Sequence, residues 1–214
     1  MPSKLIIWGA SGHARVVADI IRVAGAYEIA GFLDDQHPEN AGKSFEGSTI
    51  LGGRECLRAQ RERGVTHLIV AFGHCAGRLD AALFAVSQGL TLATAIHPSA
   101  VIASSAHIGI GTVIAANAVV NPHASIGQSV IINTSASIDH DCVIQDGVHI
   151  APGVRASGRV WVGEASWIGV GATIVDGRTI GHRTIIGAGA VVVDDIPSDV
   201  VAYGVPARVI RRNE

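Results

Sequence analysis

Between Ile102 and Val192 an aliphatic side chain returns at every sixth residue, and no insertion breaks the count. Fifteen of the sixteen positions in this column are Ile or Val, with Ala156 the exception, so the period is a structural rule of the chain. Two places earlier runs a second column of mostly small residues, from Ala100, Ala106 and Thr112 through Ala136 and Cys142 to Ala190. Arg178 is its one clear interruption. A fixed short repeat is the pattern of stacked coils in a β-solenoid, each coil burying its apolar side against the next. The aliphatic residue points inward, and the small residue sits where the chain turns and space is short. Gly109, Gly127, Gly163, Gly169, Gly181 and Gly187 each follow the aliphatic position and predict a turn that needs a permissive backbone. Composition agrees: hydrophobic residues make up 48% but aromatic residues only 4%, so the core must be filled by Ile, Val and Ala.

The first part of the chain follows a different rhythm. Lys4–Trp8 reads as an apolar strand, followed by the loop Gly9-Ala-Ser-Gly-His13 and a helix marked by Val16, Val17, Ile20 and Ile21. Residues 27–33 form a second strand ending at Asp34-Asp35. Then come a helix over 54–63, a strand over 68–72, a helix over 78–87 and a strand over 92–96. This βαβ alternation predicts a small Rossmann-like parallel sheet with helices on its faces. Two domains are expected, an α/β domain over 1–97 and an all-β solenoid over 98–214.

Net charge is −2, with no long run of one sign, which argues against nucleic acid or a membrane surface as the main partner. No apolar stretch approaches a membrane span, and the opening MPSKLIIWGASGH reads as a strand and loop rather than a signal peptide. Cys56, Cys75 and Cys142 are odd in number and lack CxxC spacing, which predicts a reduced, cytoplasmic protein.

Over residues 100–192 the repeat resembles the hexapeptide-repeat acyltransferases. The resemblance implies a left-handed parallel β-helix with three hexads per triangular coil, three chains side by side in a homotrimer, and acetyl-CoA in the grooves between them. Related solenoids include carbonic anhydrases and nucleotidyltransferase tails, so the repeat specifies fold more than chemistry. The first part narrows the choice. A strand, Gly9-Ala-Ser-Gly12-His13, a helix and Phe32-Leu-Asp34-Asp35, joined to such a solenoid, resemble the sugar-nucleotide N-acetyltransferases that act on UDP-linked 4-amino-4,6-dideoxy sugars and GDP-perosamine. The sialic acid O-acetyltransferases share this layout.

In the α/β part, backbone N–H groups of Gly9, Ser11, Gly12 and His13 at a helix start favour phosphate oxygens. Asp34 and Asp35, at a strand end, can accept hydrogen bonds from ribose hydroxyls. As a GxGxxG dinucleotide fingerprint the loop is poor, because Gly9, Ser11 and Ala14 occupy its glycine positions; a tight turn without a ligand is the alternative. Gly73, His74 and Arg78 are further candidates for contacts to the nucleotide sugar.

In the solenoid, His140 and Asp141 lie two and three places after Ile138, off the inward column and near a corner of the outer surface. Aminolysis of a thioester needs a base for the proton lost as the C–N bond forms, and a histidine suits that task. Asp139 or Asp141 could orient the imidazole. The resemblance makes His140 the base and Asp141 its support, although the family often has the longer Glu there. It also assigns Asn133 and His149 to the acetyl-CoA end. Gly158 is eighteen residues after His140, one coil in the family's geometry, where its N–H could meet an oxyanion. The segment Ala202-Tyr-Gly-Val-Pro-Ala-Arg208 resembles the closing GxPA segment. Gly204, Pro206 and Arg208 are therefore expected near the adenine end of CoA, and Arg208, Arg211 and Arg212 could pair with its 3′-phosphate.

No metal site is expected, because the solenoid histidines have no pair at the five-residue spacing a solenoid carbonic anhydrase needs, and Cys142 faces inward. The sequence thus predicts direct acetyl transfer from acetyl-CoA to the 4-amino group of a nucleotide-linked sugar. O-acetylation of a sugar hydroxyl and a non-catalytic sugar-nucleotide-binding solenoid remain as alternatives.

Overall fold

The computed structural model describes residues 2–213, which divide into one compact unit ending at Pro98 and a second beginning at Ser99.

The first unit opens with β1 (Ser3–Trp8), α1 (Gly12–Ala24) and β2 (Tyr27–Leu33). A short hairpin, β3 (Ser44–Phe45) and β4 (Ser48–Gly52), follows. Then come α2 (Leu57–Glu62), β5 (His67–Val70), α3 (Cys75–Ser87), β6 (Thr91–Leu92) and β7 (Ala95–Ile96). The sheet order is β3-β4-β2-β1-β5-β6, parallel except for the β3–β4 pair. Leu5, Ile6 and Ile7 on β1 are all fully buried, as a central parallel strand covered on both faces requires. On α1, Val17, Ile20 and Ile21 are buried while Val16 is 38% exposed, so the apolar stripe is narrower than the run of Val and Ile suggests.

Four boundaries differ from expectation. The helix expected over 54–63 is split into a 3₁₀ turn at Arg54–Cys56 and α2. The expected strand at 92–96 is two short pieces. α3 begins at Cys75, because the His74 side chain caps it by accepting the Gly77 N–H at 3.0 Å. The β3–β4 hairpin carries no alternation long enough to read.

The second unit is a left-handed β-helix. Each hexad contributes a two-residue strand whose second residue is the aliphatic one, from Val101–Ile102 to Val191–Val192. Strands pair in parallel with those eighteen residues away, Val113 with Ile131 and Ile150 with Ile168, giving three sheets around the coil. From Ile114 to Val192 the inward column is no more than 2% exposed. The chain closes with an antiparallel hairpin, Val200–Gly204 with Ala207–Arg212. Arg178 breaks the small-residue column by turning partly outward, with Nη1 3.6 Å from Asp195 Oδ1.

The glycines that follow the aliphatic position have a different cause from the one the sequence suggests. Gly109, Gly127, Gly163, Gly169, Gly181 and Gly187 have ordinary φ. What they lack is room: a Cβ at Gly163 would sit 2.5 Å from the His182 nitrogen, and one at Gly169 2.6 Å from the Ala188 nitrogen. The left-handed residue of the turn comes two places later. Asn117, Ser135, Asp141, Arg159 and Gly171 all take φ between 56° and 68° there. Replacing Gly163 with Ala should therefore destabilise the unit by about 1–3 kcal/mol in urea unfolding. A glycine at an equally ordinary φ but with room for a Cβ would instead gain about 0.4–1 kcal/mol from that change.

Candidate functional site

The solenoid candidates fall into three groups. At one corner, His140 Nδ1 lies 2.8 Å from Asp141 Oδ2. Successive residues of a strand point to opposite faces. The left-handed φ of 59° at Asp141 breaks that alternation at the turn, where its carboxylate meets the neighbouring imidazole. A carboxylate can only accept, so Nδ1 carries the hydrogen and the neutral ring presents Nε2 as a proton acceptor. Asp139 serves the backbone instead, accepting the His140 N–H at 2.7 Å and the Asn121 amide at 3.0 Å.

The hydrogen bond to Asp141 holds the His140 imidazole above its ordinary pKa, partial burial opposes it, the charges of Asp139 and Asp141 add to it, and Arg159 opposes it. Asp141 is held below the usual carboxylate range, first by the same hydrogen bond.

Gly158 lies one coil beyond. A Cβ there would sit 2.6 Å from both Cε1 and Nε2 of His140 and 2.9 Å from Asp176 Oδ1. The missing side chain leaves room for the edge of the imidazole to approach the Gly158 backbone. Among the described residues the Gly158 N–H makes no hydrogen bond within the chain. Cys142 is buried beneath this corner and donates to the Ser157 carbonyl at 3.0 Å. Burial pushes its thiol up to about 11, so it is held as the protonated form.

Asn133 and His149 form the second group, with the Asn133 amide 3.4 Å from His149 Nε2. His149 stacks in register between Ile131 and Trp167 and meets the Trp167 ring edge-on at 6.2 Å between centroids. Gly204, Pro206 and Arg208 form the third group, at the closing hairpin. Gly204 takes φ +109°, the Val205–Pro206 peptide is cis, and Arg208 pairs with Asp194 at 3.1 Å.

In the α/β unit a cleft of about 720 Å³ opens at the carboxyl ends of β1 and β2. Gly9 and Ser11 line it, and Gly12 begins α1. Gly9 is needed for both reasons a glycine can be: its φ is +136°, and a Cβ would meet the Ala71 carbonyl at 2.7 Å. The start of α1 has neither a side-chain cap nor an acidic residue in its first turn, and its N-cap residue Ser11 lines the cleft.

Asp34 and Asp35 reach the cleft already engaged. Asp34 accepts from the Gln36 and His37 N–H groups and from the Asn40 amide, shaping its own loop. Asp35 holds Arg54 through its N–H at 2.7 Å, Nε at 2.9 Å and Nη2 at 2.8 Å. The Arg54 guanidinium also lies over Trp8, 5.4 Å from the ring centroid. Trp8, Arg54, His74 and Asp80 line this cleft. Of these the sequence singled out only His74, because nothing in residue spacing links Arg54 to Asp35.

His13, Gly73 and Arg78 are not among the residues that line the cleft. Arg78 is fully buried, and its Nη1 donates to the Phe72 and Gly73 carbonyls at 3.1 Å each. It therefore positions the loop after β5 rather than presenting its charge to a ligand. Burial, and then the Arg78 charge, lower His13 to about 4, so its imidazole is neutral. Among the described residues no group of three or more His, Cys, Asp and Glu is placed to hold a metal ion, and no helix is long and apolar enough to cross a membrane.

Residues 4–82 match the PglD N-terminal domain family. Over the whole chain, the structure is similar to perosamine N-acetyltransferase from Caulobacter crescentus in complex with CoA and GDP-perosamine. That match is 38% identical, has a TM-score of 0.92 and covers 97% of each chain. It is also similar to the acetyltransferase domain of PglB from Neisseria gonorrhoeae in complex with acetyl coenzyme A. Here identity is 38%, the TM-score 0.91, and coverage 98% of this chain and 100% of that one. Among curated sequences, galactoside O-acetyltransferase from Escherichia coli is 52% identical over 52 residues, and the match spans only 26% of that relative's length.

Substituting Ala for Gly158 should leave the fold intact, because the atoms in the way belong to a side chain that can swing aside. The displaced imidazole should cost about 100-fold in kcat, the penalty of an ångström-scale misplacement at a reacting group. An unchanged circular dichroism melt with that loss of rate is the expected result.

Proposed function

The chain belongs to the hexapeptide-repeat family of acetyl-CoA-dependent sugar N-acetyltransferases, and we propose that it acetylates the 4-amino group of a nucleotide-linked 4-amino-4,6-dideoxy sugar. The observation that carries this reading is the His140 imidazole, fixed by Asp141 through Nδ1 and open at Nε2 beside Gly158.

The amine attacks the thioester carbonyl, and His140 Nε2 takes the proton released as the C–N bond forms. The carbonyl oxygen gains charge as the tetrahedral intermediate forms, and the free Gly158 N–H stabilises it. Collapse breaks the C–S bond, and the imidazolium returns its proton to the departing sulfur. An acyl-enzyme is not needed. Cys142, the thiol nearest this corner, is buried and protonated.

The α/β cleft holds the nucleotide end of the substrate. The start of α1, with no side-chain cap and no acidic first-turn residue, suits a diphosphate, and Arg54, locked by Asp35, adds a fixed positive charge. Three chains side by side would bring the Asn133–His149 pair of one to the His140 corner of another, with acetyl-CoA between and its adenine end near Gly204, Pro206 and Arg208. A reducing, cytoplasmic setting fits this reading, since Cys56, Cys75 and Cys142 form no disulfide.

Replacing His140 with Ala should lower kcat/KM about 10²–10⁴-fold for an amine acceptor. Turnover equal to that of the unaltered protein would sink the assignment. The pH profile supplies a finer check. His140 must be neutral to act, so activity rises with pH through its pKa, which Asp141 holds above the ordinary value. Asp141→Asn removes the leading cause of that elevation, and the acid limb of kcat/KM should move to lower pH while the maximum falls. For the substrate, a thermal-shift panel of UDP-, GDP- and CMP-linked amino sugars should raise Tm with one nucleotide selectively.

A further inference from the structure

Asp176 stands two coils beyond His140 on the same corner row, and no motif singles it out. Its Oδ2 is held by the Arg159 guanidinium. Its Oδ1 borders the space that a Gly158 side chain would fill, and His140 Nε2 borders the same space. From the ideal Cβ position at Gly158 the two atoms are 2.9 Å and 2.6 Å away, so their separation cannot exceed the sum of those distances. Two hydrogen bonds of about 2.7–3.2 Å meeting at one nitrogen span such a gap.

We propose that Asp176 Oδ1 and His140 Nε2 bracket the substrate nitrogen, with Asp176 the group that recognises it as an amine. This rests on the reading of His140 as the base. A sugar amine arrives largely as the ammonium, R–NH₃⁺, which has only donors to offer. Asp176 supplies a charged acceptor and Nε2 a neutral one. The first proton leaves through His140 to solvent and yields the neutral amine, still hydrogen-bonded to Asp176. The nitrogen then bonds to the thioester carbon, its second proton passes to Nε2, the C–S bond breaks, and that proton goes to the CoA sulfur. Asp176 takes up no proton in these steps. The sum is R–NH₃⁺ and acetyl-CoA giving R–NH-acetyl, CoA-SH and H⁺. Arg159 has a defined part: by occupying Oδ2 it fixes Oδ1 toward the slot.

This arrangement distinguishes an amine from a hydroxyl. A neutral sugar hydroxyl offers one donor and no charge, so once that donor is on His140 Nε2 it has none left for Asp176. The discriminating element for N- over O-transfer is then this carboxylate rather than the histidine.

The test uses the full-length protein with two ligands: the amino sugar nucleotide as substrate, and the analogue with hydroxyl in place of the 4-amino group as a competitive inhibitor. Asp176→Asn should raise KM for the amino sugar nucleotide about 10–100-fold, the range for one charge-assisted hydrogen bond. It should leave KM for acetyl-CoA and the Ki of the hydroxyl analogue within about twofold. Asp176→Glu, which keeps the charge, should recover part of the loss, and equal melting temperatures would exclude unfolding as the cause. A raised KM for acetyl-CoA with that of the sugar unchanged would overturn the proposal, since the carboxylate would then serve the pantetheine arm. So would an equal loss for amine and hydroxyl ligands, or no change at all. The His140→Ala variant tests the base separately, so failure of one assignment is readable without the other.

Discussion

The ladder of backbone hydrogen bonds between successive coils is the constraint from which the rest of the solenoid follows. Val113 N–H donates to the Val130 carbonyl, Ile131 to Val148, His149 to Ser166 and Trp167 to Thr184, all between 2.8 and 3.0 Å. Parallel strands two residues long cannot hold a register by themselves; the aliphatic column does, since a slip of one residue would turn every inward Ile to solvent. Once register is fixed, any side chain's neighbours along the axis are those eighteen residues away. That relation places Gly158 under His140, and Asp176 beyond Gly158, through contacts between adjacent coils alone.

This explains why so much of the solenoid site was legible before any coordinates. The six-residue period gave the inward column, and residue counting then set His140 outside it and Gly158 one coil away. The role of the glycines was not legible, because two causes leave the same mark in a sequence. A glycine may be required for its φ or for the absence of Cβ, and only the distance from Gly163 to the His182 nitrogen identifies the second. The left-handed positions were hidden for the converse reason. Asn117, Ser135, Asp141 and Arg159 occupy them with ordinary side chains, the coil geometry outweighing the modest cost of αL for a non-glycine residue.

The α/β cleft was legible as topology but not as chemistry. Gly9 and the start of α1 follow from a strand–loop–helix pattern that any nucleotide fold shares. The contacts around them join distant residues through irregular backbone: Asp35 with Arg54, Arg54 with Trp8, His74 with its own helix start. None has a period. Asp34 illustrates the difficulty, since its place at the strand end suggests a ribose contact, and nothing in the sequence shows that its oxygens also accept from Gln36, His37 and Asn40. Arg78 is the mirror case, a charge that looks available in sequence but is buried to hold two carbonyls.

The ionic pattern around His140 repeats the coil logic in another form. Along the row beside it, His123, Asp141 and Arg159 follow one another at one-coil intervals, and His123 and Arg159 both lower Asp141. Arg159 in turn pairs with Asp176 on the neighbouring row. These groups are solvent-exposed, where ion pairs contribute little to stability. Their consequence is local: Asp141 stays ionised, the imidazole stays oriented, and its pKa is the balance of two nearby acids against one base and partial burial. A stacked coil is well suited to this tuning. Each charged residue meets its neighbour at a spacing set by the backbone ladder rather than by flexible side-chain packing, so the electrostatics of the His140 imidazole derive from the same repeat that builds the core.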